Sequence, residues 1–298
     1  MVPTPRCDRP QLRQGFSLVE LSVVVAIMSV VATFGLEAAS NFVNRSATSV
    51  SRERLAVVDE AVAQFFRVYG RLPCPASSWL DPTNTSYGLE NCTSSAYLYY
   101  TNDGTHPGNG LYAGAVPFRT LNLPMLYALD GFTSKLNYIV TANLTVAGGG
   151  SGVYNRFNSS GGTIVQNGIA GIEVRTGVLE QPCNTAKCQV IANPAATPPS
   201  GAAYFIFSNG PDQRGAYSVN GTLLNPCSAA AYFASEKRPD TENCQMSIAH
   251  GPPFSTTHTI GAVSNIPDQV FYDNRYNAGL NLVSYFDDVV IWRTKGQL

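Results

Sequence analysis

A single carboxylate inside an apolar stretch constrains this chain more than any other feature. Residues Gly15-Phe16-Ser17-Leu18-Val19-Glu20 open a run that continues, otherwise uncharged, to Leu36. As a helix, Phe16 to Leu36 spans roughly 30 Å, about one bilayer core. A glutamate buried there costs about 2.5–3.5 kcal/mol on insertion scales, so it needs a partner.

An ordinary secretory signal keeps its apolar core uncharged and ends in a small-residue cleavage site. Ala38-Ala39-Ser40 is the nearest candidate, but Glu37 adjoins it and the helical pattern continues beyond. Ahead of the run stand Arg6, Arg9 and Arg13 against Asp8, with Gly15 at the border. The positive-inside rule keeps that flank cytoplasmic.

These residues resemble the class III signal of type IV pilins and type II secretion pseudopilins: a basic leader, Gly, then Phe-Thr-Leu-x-Glu-Leu and an apolar helix. Ser17 stands where Thr is usual. The resemblance implies that residues 1–15 are a leader, that prepilin peptidase cuts after Gly15, and that the new amino group of Phe16 is methylated. It also implies that Glu20 pairs with the N-terminal amine of a neighbouring subunit during assembly. The implied partners are prepilin peptidase, other pilin or pseudopilin subunits and the inner-membrane assembly platform. The implied location is the bacterial inner membrane, single-pass with the head in the periplasm, and then a pseudopilus or extracellular pilus. A plain membrane anchor or an uncleaved signal is the alternative for the same residues.

Beyond Asn41, Leu55, Val58, Val62, Phe65 and Tyr69 recur at helical spacing, while Arg52, Glu53, Arg54, Asp59, Glu60 and Arg67 fall mostly on other faces. Gly70 supplies a stop, and Pro73 with Pro75 prevents resumption. The expected organisation is therefore residues 16–36 as a transmembrane and filament-core helix, 37–70 as its amphipathic continuation, and 71–298 as a β-rich head. From Leu72 onward, short apolar runs separated by Gly, Pro, Asn and Ser predict strands at Asn137–Val146, Ile164–Arg175, Ala203–Ser208 and Phe286–Trp292. Gly148–Gly162 reads as a Gly/Ser-rich loop. The expected fold class is α+β and pilin-like, a long N-terminal helix packed on an antiparallel β-sheet with extended loops.

Charge bears on partners. Losing three arginines and one aspartate with the leader moves the formal charge from −1 to −3, which does not favour nucleic acid. Charged residues make up 13% of the chain, so Ser, Thr, Asn and Gly build the expected surface, as suits an exported domain. Outside the leader, which holds Cys7, stand Cys74, Cys92, Cys183, Cys188, Cys227 and Cys244. An oxidising compartment favours up to three disulfides, and six cysteines allow about 15 connectivities. Short loop closure favours Cys74 with Cys92, Cys183 with Cys188, and Cys227 with Cys244. Cys183 and Cys188 have metal-like proximity, but no second Cys/His pair of ligand spacing stands near them.

Weaker echoes extend the resemblance. Arg71-Leu72-Pro73-Cys74-Pro75 after Tyr69 is similar to the Tyr-x-x-Leu-Pro motif of major pseudopilins, and Leu123-Pro124 with Asp130-Gly131-Phe132 and Asn137-Tyr138 to their Asp-Pro-Trp-Gly-x-x-Tyr segment. Ser208-Asn209-Gly210-Pro211-Asp212-Gln213-Arg214-Gly215 and Phe286-Asp287-Asp288-Val289-Val290-Ile291-Trp292 resemble their Ser-x-Gly-x-Asp-Gly loop and terminal Asp-Ile-x-x-Trp. That likeness makes Asp212, Asp287 and Asp288 calcium candidates, since the ion takes six to eight hard oxygens. Turn capping and strand-end solvation explain the same aspartates. No cofactor is otherwise required.

Catalytic constellations are sparse. His106, His250 and His258 form no His-Glu-x-x-His motif, Gly-x-Ser-x-Gly is absent, and Gly108-Asn109-Gly110 is bracketed by prolines and reads as a turn. The expectation is a structural subunit, not an enzyme, and a minor rather than bulk one, given its large head. The alternative is a pilin-anchored binding or adhesion protein, with Tyr97-Leu98-Tyr99-Tyr100 as a candidate contact.

Overall fold

A computed structural model describes residues 17–92, 98–99, 111–141, 144–145, 172–177, 188–193, 196, 200–225, 243, 270–274 and 286–298. Within them, residues 31–38, 40–41, 98–99, 188, 270–272 and 295 are described by backbone alone. The chain divides into two compact units, residues 1–45 and 46–298.

Helix α1 covers Leu18–Tyr69, 52 residues. It ends where the sequence predicts: Gly70 takes φ +67°, and its amide donates to Phe66 O at 2.8 Å. In the first unit the side chains of Leu18, Val19, Leu21, Val23, Ile27, Met28, Phe42 and Val43 are exposed. Among the described residues no helix is long and apolar enough to cross a membrane.

The second unit is built from strands. A five-stranded antiparallel sheet has the order β1 (Leu98–Tyr99), β2 (Leu111–Ala115), β3 (Asn137–Thr141), β6 (Ala202–Ser208) and β8 (Val289–Thr294). A second sheet has the order β5 (Cys188–Ala192), β4 (Glu173–Gly177) and β7 (Val270–Tyr272), with β4 and β7 parallel. The strand predicted at Asn137–Val146 is seen as Asn137–Thr141, with Leu144 and Thr145 not in it and residues 142, 143 and 146 outside the described set, and the one at Ile164–Arg175 is seen as Glu173–Gly177 because residues 164–171 lie outside that set. The last strand starts three residues later than predicted, at Val289, and reaches Thr294. Gly148–Gly162 lies outside the described residues.

Two apolar clusters cover the two faces of the large sheet. Toward α1, Tyr138, Val140, Tyr204 and Ile206 join Leu55, Val58, Val62 and Phe66. On the other face, Ala113, Ile139, Phe205 and Phe207 join Ile172, Val174 and Ala192 of the second sheet region. All seven residues of β6 are buried, as a strand covered on both faces must be. The head is thus helix on sheet on sheet.

Two expectations about α1 are corrected. The buried stripe runs Leu55, Val58, Val62 and Phe65 as expected and takes in Phe66 as well, while Tyr69 is exposed and lies against Phe65 with ring centroids 4.4 Å apart. A helix of 3.6 residues per turn brings Phe66, four after Val62, onto the same face. Asp59, expected on a polar face, is buried, because Arg293 of β8 and Tyr204 of β6 reach it.

A loop latches onto the helix in the same unit. Arg54 Nη1 donates to Leu129 O at 3.1 Å and Asp130 O at 2.7 Å, and the Gly131 amide donates to Ser51 Oγ at 2.9 Å. Asp130 Oδ1 accepts the amides of Phe132 and Ser134, and its Oδ2 accepts the Ser208 hydroxyl at 2.7 Å. Burial nonetheless raises the Asp130 carboxyl above its ordinary value. These residues lie in the stretch that resembles the Asp-Pro-Trp-Gly-x-x-Tyr segment.

Candidate processing and assembly site

The start of α1 shows how an acidic residue is accommodated at the head of an apolar helix. Ser17 is the N-cap: its Oγ accepts the Glu20 amide at 3.2 Å, while the Ser17 amide donates to Glu20 Oε2 at 2.9 Å. This reciprocal pair is a capping box, which satisfies two of the amides a helix start leaves open. The carboxylate also lies in the first turn, where the helix dipole favours negative charge. Farther along, Ser22 Oγ donates to Val19 O at 2.8 Å and Ser29 Oγ to Val25 O at 2.7 Å. Each polar side chain from Ser17 to Val30 thus makes a hydrogen bond within its own helix. Gly15 and Phe16 lie outside the described residues.

Residues 11–36 match the prokaryotic N-terminal methylation motif. This motif is the signature of type IV pilin and pseudopilin prepilin-type signals, and the match brackets Gly15, Phe16, Ser17 and Glu20. Comparisons with curated proteins and with solved structures gave no significant match. The methylation motif thus bears on the first 36 residues, and the head is read from its own geometry.

At the C-terminal end of α1, the Arg71-to-Cys92 segment closes on itself. Cys74 and Cys92 form a disulfide, one of the pairs favoured by loop closure. Arg71 forks onto Glu90 with Nη2 to Oε1 at 2.7 Å and Nη1 to Oε2 at 2.8 Å, and Glu90 Oε2 also accepts the Cys74 amide at 3.0 Å. Burial works to raise the Glu90 carboxyl, but the Arg71 hydrogen bonds, the Cys74 amide and the Arg71 charge together outweigh it and leave it below its ordinary value. Nothing in the spacing of Arg71 and Glu90 marked them as partners. Cys183, Cys227 and Cys244 lie outside the described residues, and Cys188 opens β5.

The three calcium candidates do not converge. Asp212 Oδ1 accepts the Arg214 amide at 2.8 Å, closing its own turn, and the Asp212 amide donates to Asp287 Oδ2 at 3.2 Å. Asp288 Oδ2 instead accepts from Asn243 Nδ2 at 2.8 Å. Among the described residues, Cys74, Glu90 and Cys92 are the acidic or sulfur ligands that gather in a group of three. A cage built on the three aspartates together does not fit this arrangement. The loop is held by close backbone approach: Gly210 takes φ +63°, and a Cβ there would lie 2.4 Å from Asp287 O.

Proposed function

We propose that this protein is a minor structural subunit of a type IV pilus or type II secretion pseudopilus. The observation that carries the reading is the methylation motif over residues 11–36, with its glutamate held at the first turn of a 52-residue helix. Prepilin peptidase cuts after Gly15, leaving Phe16 as the methylated N-terminal residue. The Ser17 amide survives that cut, so the capping box persists in the mature subunit. Glu20 then offers its other carboxylate oxygen to the N-terminal amine of a neighbouring subunit, and Leu21 to Leu36 supply apolar packing. Residues 16–36 anchor the subunit in the inner membrane with its head in the periplasm, until the assembly platform draws it into the filament. The role is structural rather than catalytic.

The test is mass spectrometry of the mature N-terminus in cells with and without prepilin peptidase. A peptidase-dependent start at N-methylated Phe16 is expected. A start beyond Ala39, or an intact leader in both strains, would remove the reading.

A further inference from the structure

The disulfide at the end of α1 joins unlike sulfurs. Cys74 sits between Pro73 and Pro75 and is buried, whereas Cys92 is exposed. Glu90 reaches between them: its Oε2, already bonded to the Cys74 amide, lies 3.9 Å from Cys92 Sγ. Both sulfurs and one carboxylate oxygen fall within 4.8 Å of one another. The Arg71 fork holds both carboxylate oxygens, Nη1 donating to this same Oε2 at 2.8 Å and Nη2 to Oε1 at 2.7 Å, and the Glu90 backbone is fixed where its amide donates to Thr120 Oγ1 at 2.8 Å.

We propose that, once reduced, Cys74, Cys92 and Glu90 form a three-ligand site for a borderline divalent cation of the Zn²⁺ class. A dithiol supplies the two electrons. Its thiolate attacks the exposed Cys92 sulfur, Cys74 leaves, and the second thiol resolves the mixed disulfide. The dithiol departs as its own disulfide, and two protein thiols remain. Metal binding displaces both thiol protons, giving two thiolates and one carboxylate, with water in the fourth tetrahedral position.

Two adjustments are needed: Glu90 Oε2 exchanges its Arg71 Nη1 hydrogen bond for the metal, and the two sulfurs move apart. With Zn–S bonds of about 2.3 Å, tetrahedral sulfurs lie roughly 3.8 Å apart, so the bonded pair must separate by about 2 Å. Rotation of the exposed Cys92 side chain can supply that, while Cys74 stays fixed between its prolines. The two thiolates select a borderline metal over a hard one. Arg71 orients the carboxylate as an outer partner, and its charge moderates the affinity. The loop from Cys74 to Cys92 is then closed by a covalent bond when oxidised and by a metal bridge when reduced.

The test uses the full-length chain in detergent, reduced with a dithiol and alkylated with or without Zn²⁺, with each cysteine followed by peptide mass spectrometry. Zn²⁺ is expected to slow alkylation of Cys74 and Cys92 by about tenfold or more, and Glu90→Gln should remove most of that protection. The remaining cysteines serve as internal references. Circular dichroism on the same samples reports folding: if the reduced apo chain loses its tertiary signal, recovery with Zn²⁺ alongside protection supports the site. Protection without that recovery overturns it. So do unchanged rates at Cys74 and Cys92, protection confined to other cysteines, or a Glu90→Gln chain protected as well as the parent.

Discussion

Arg293 of the last strand holds Asp59 of the helix, its Nε donating to both carboxylate oxygens at 3.0 Å. Tyr204 adds its hydroxyl to Oδ1 at 2.6 Å. The Asp59 hydrogen bonds raise the Arg293 guanidinium above its already high ordinary value. The contact ties residues 234 positions apart, so the C-terminal strand is locked to α1. Arg293→Met strands a carboxylate with 8% side-chain exposure and is expected to cost about 3 kcal/mol by urea denaturation. Arg293→Lys should fall between, because it keeps the charge and loses the fork.

Gly131 is a contact glycine. A Cβ built there meets Ala47 O at 2.0 Å, so Gly131→Ala must push the 129–132 loop off the helix. A loss of about 1–3 kcal/mol is expected in the same assay. Ser51→Ala leaves the Gly131 amide short of its acceptor and should cost about 1 kcal/mol.

Lys135 is buried, donating to Ser78 O at 2.7 Å and Leu80 O at 2.6 Å. Burial lowers its pKa from 10.5 to about 8. Between those values the unfolded chain holds more protons than the folded one, so this group's contribution to stability rises with pH through that window. The difference in unfolding free energy between the parent and Lys135→Met should shift toward the parent by about 2 kcal/mol from roughly pH 8 to 10. Taking the difference cancels the raised tyrosines, Tyr87, Tyr138, Tyr204 and Tyr217, which act in both proteins. A flat difference would contradict the assignment.

The disulfide closes a loop with a sequence separation of 18. Replacing both Cys74 and Cys92 by Ala should remove about 3 kcal/mol, read in metal-free buffer as a lowered urea midpoint.

Glu20 separates capping from charge. Gln can also serve in a capping box, so Glu20→Gln keeps the helix start while losing the negative charge. If the intermolecular amine contact governs assembly, Glu20→Gln should fail in filament incorporation as completely as Glu20→Ala, with membrane insertion intact in both. Normal incorporation of Glu20→Gln would assign Glu20 to helix capping alone.

Features governed by local rules are legible in the chain alone. The stop at Gly70, the β-rich character of the head and a strand at Ala203–Ser208 all follow from neighbours in the chain; the Ser17–Glu20 cap is just as local, yet from the sequence Glu20 is assigned only to an intermolecular partner. The prepilin-type signal belongs to the same class, since a peptidase reads a contiguous segment. Pairing across long separations was decided by the tertiary structure. Asp59 looked like a solvated charge until β8 brought Arg293 to it, and Arg71 showed no link to Glu90. The second sheet was hidden for the same reason: its parallel pair, β4 with β7, joins segments about a hundred residues apart, and no local periodicity encodes which strand lies beside which. Side-chain pattern says which residues want burial; what buries them is set by the chain's path in space.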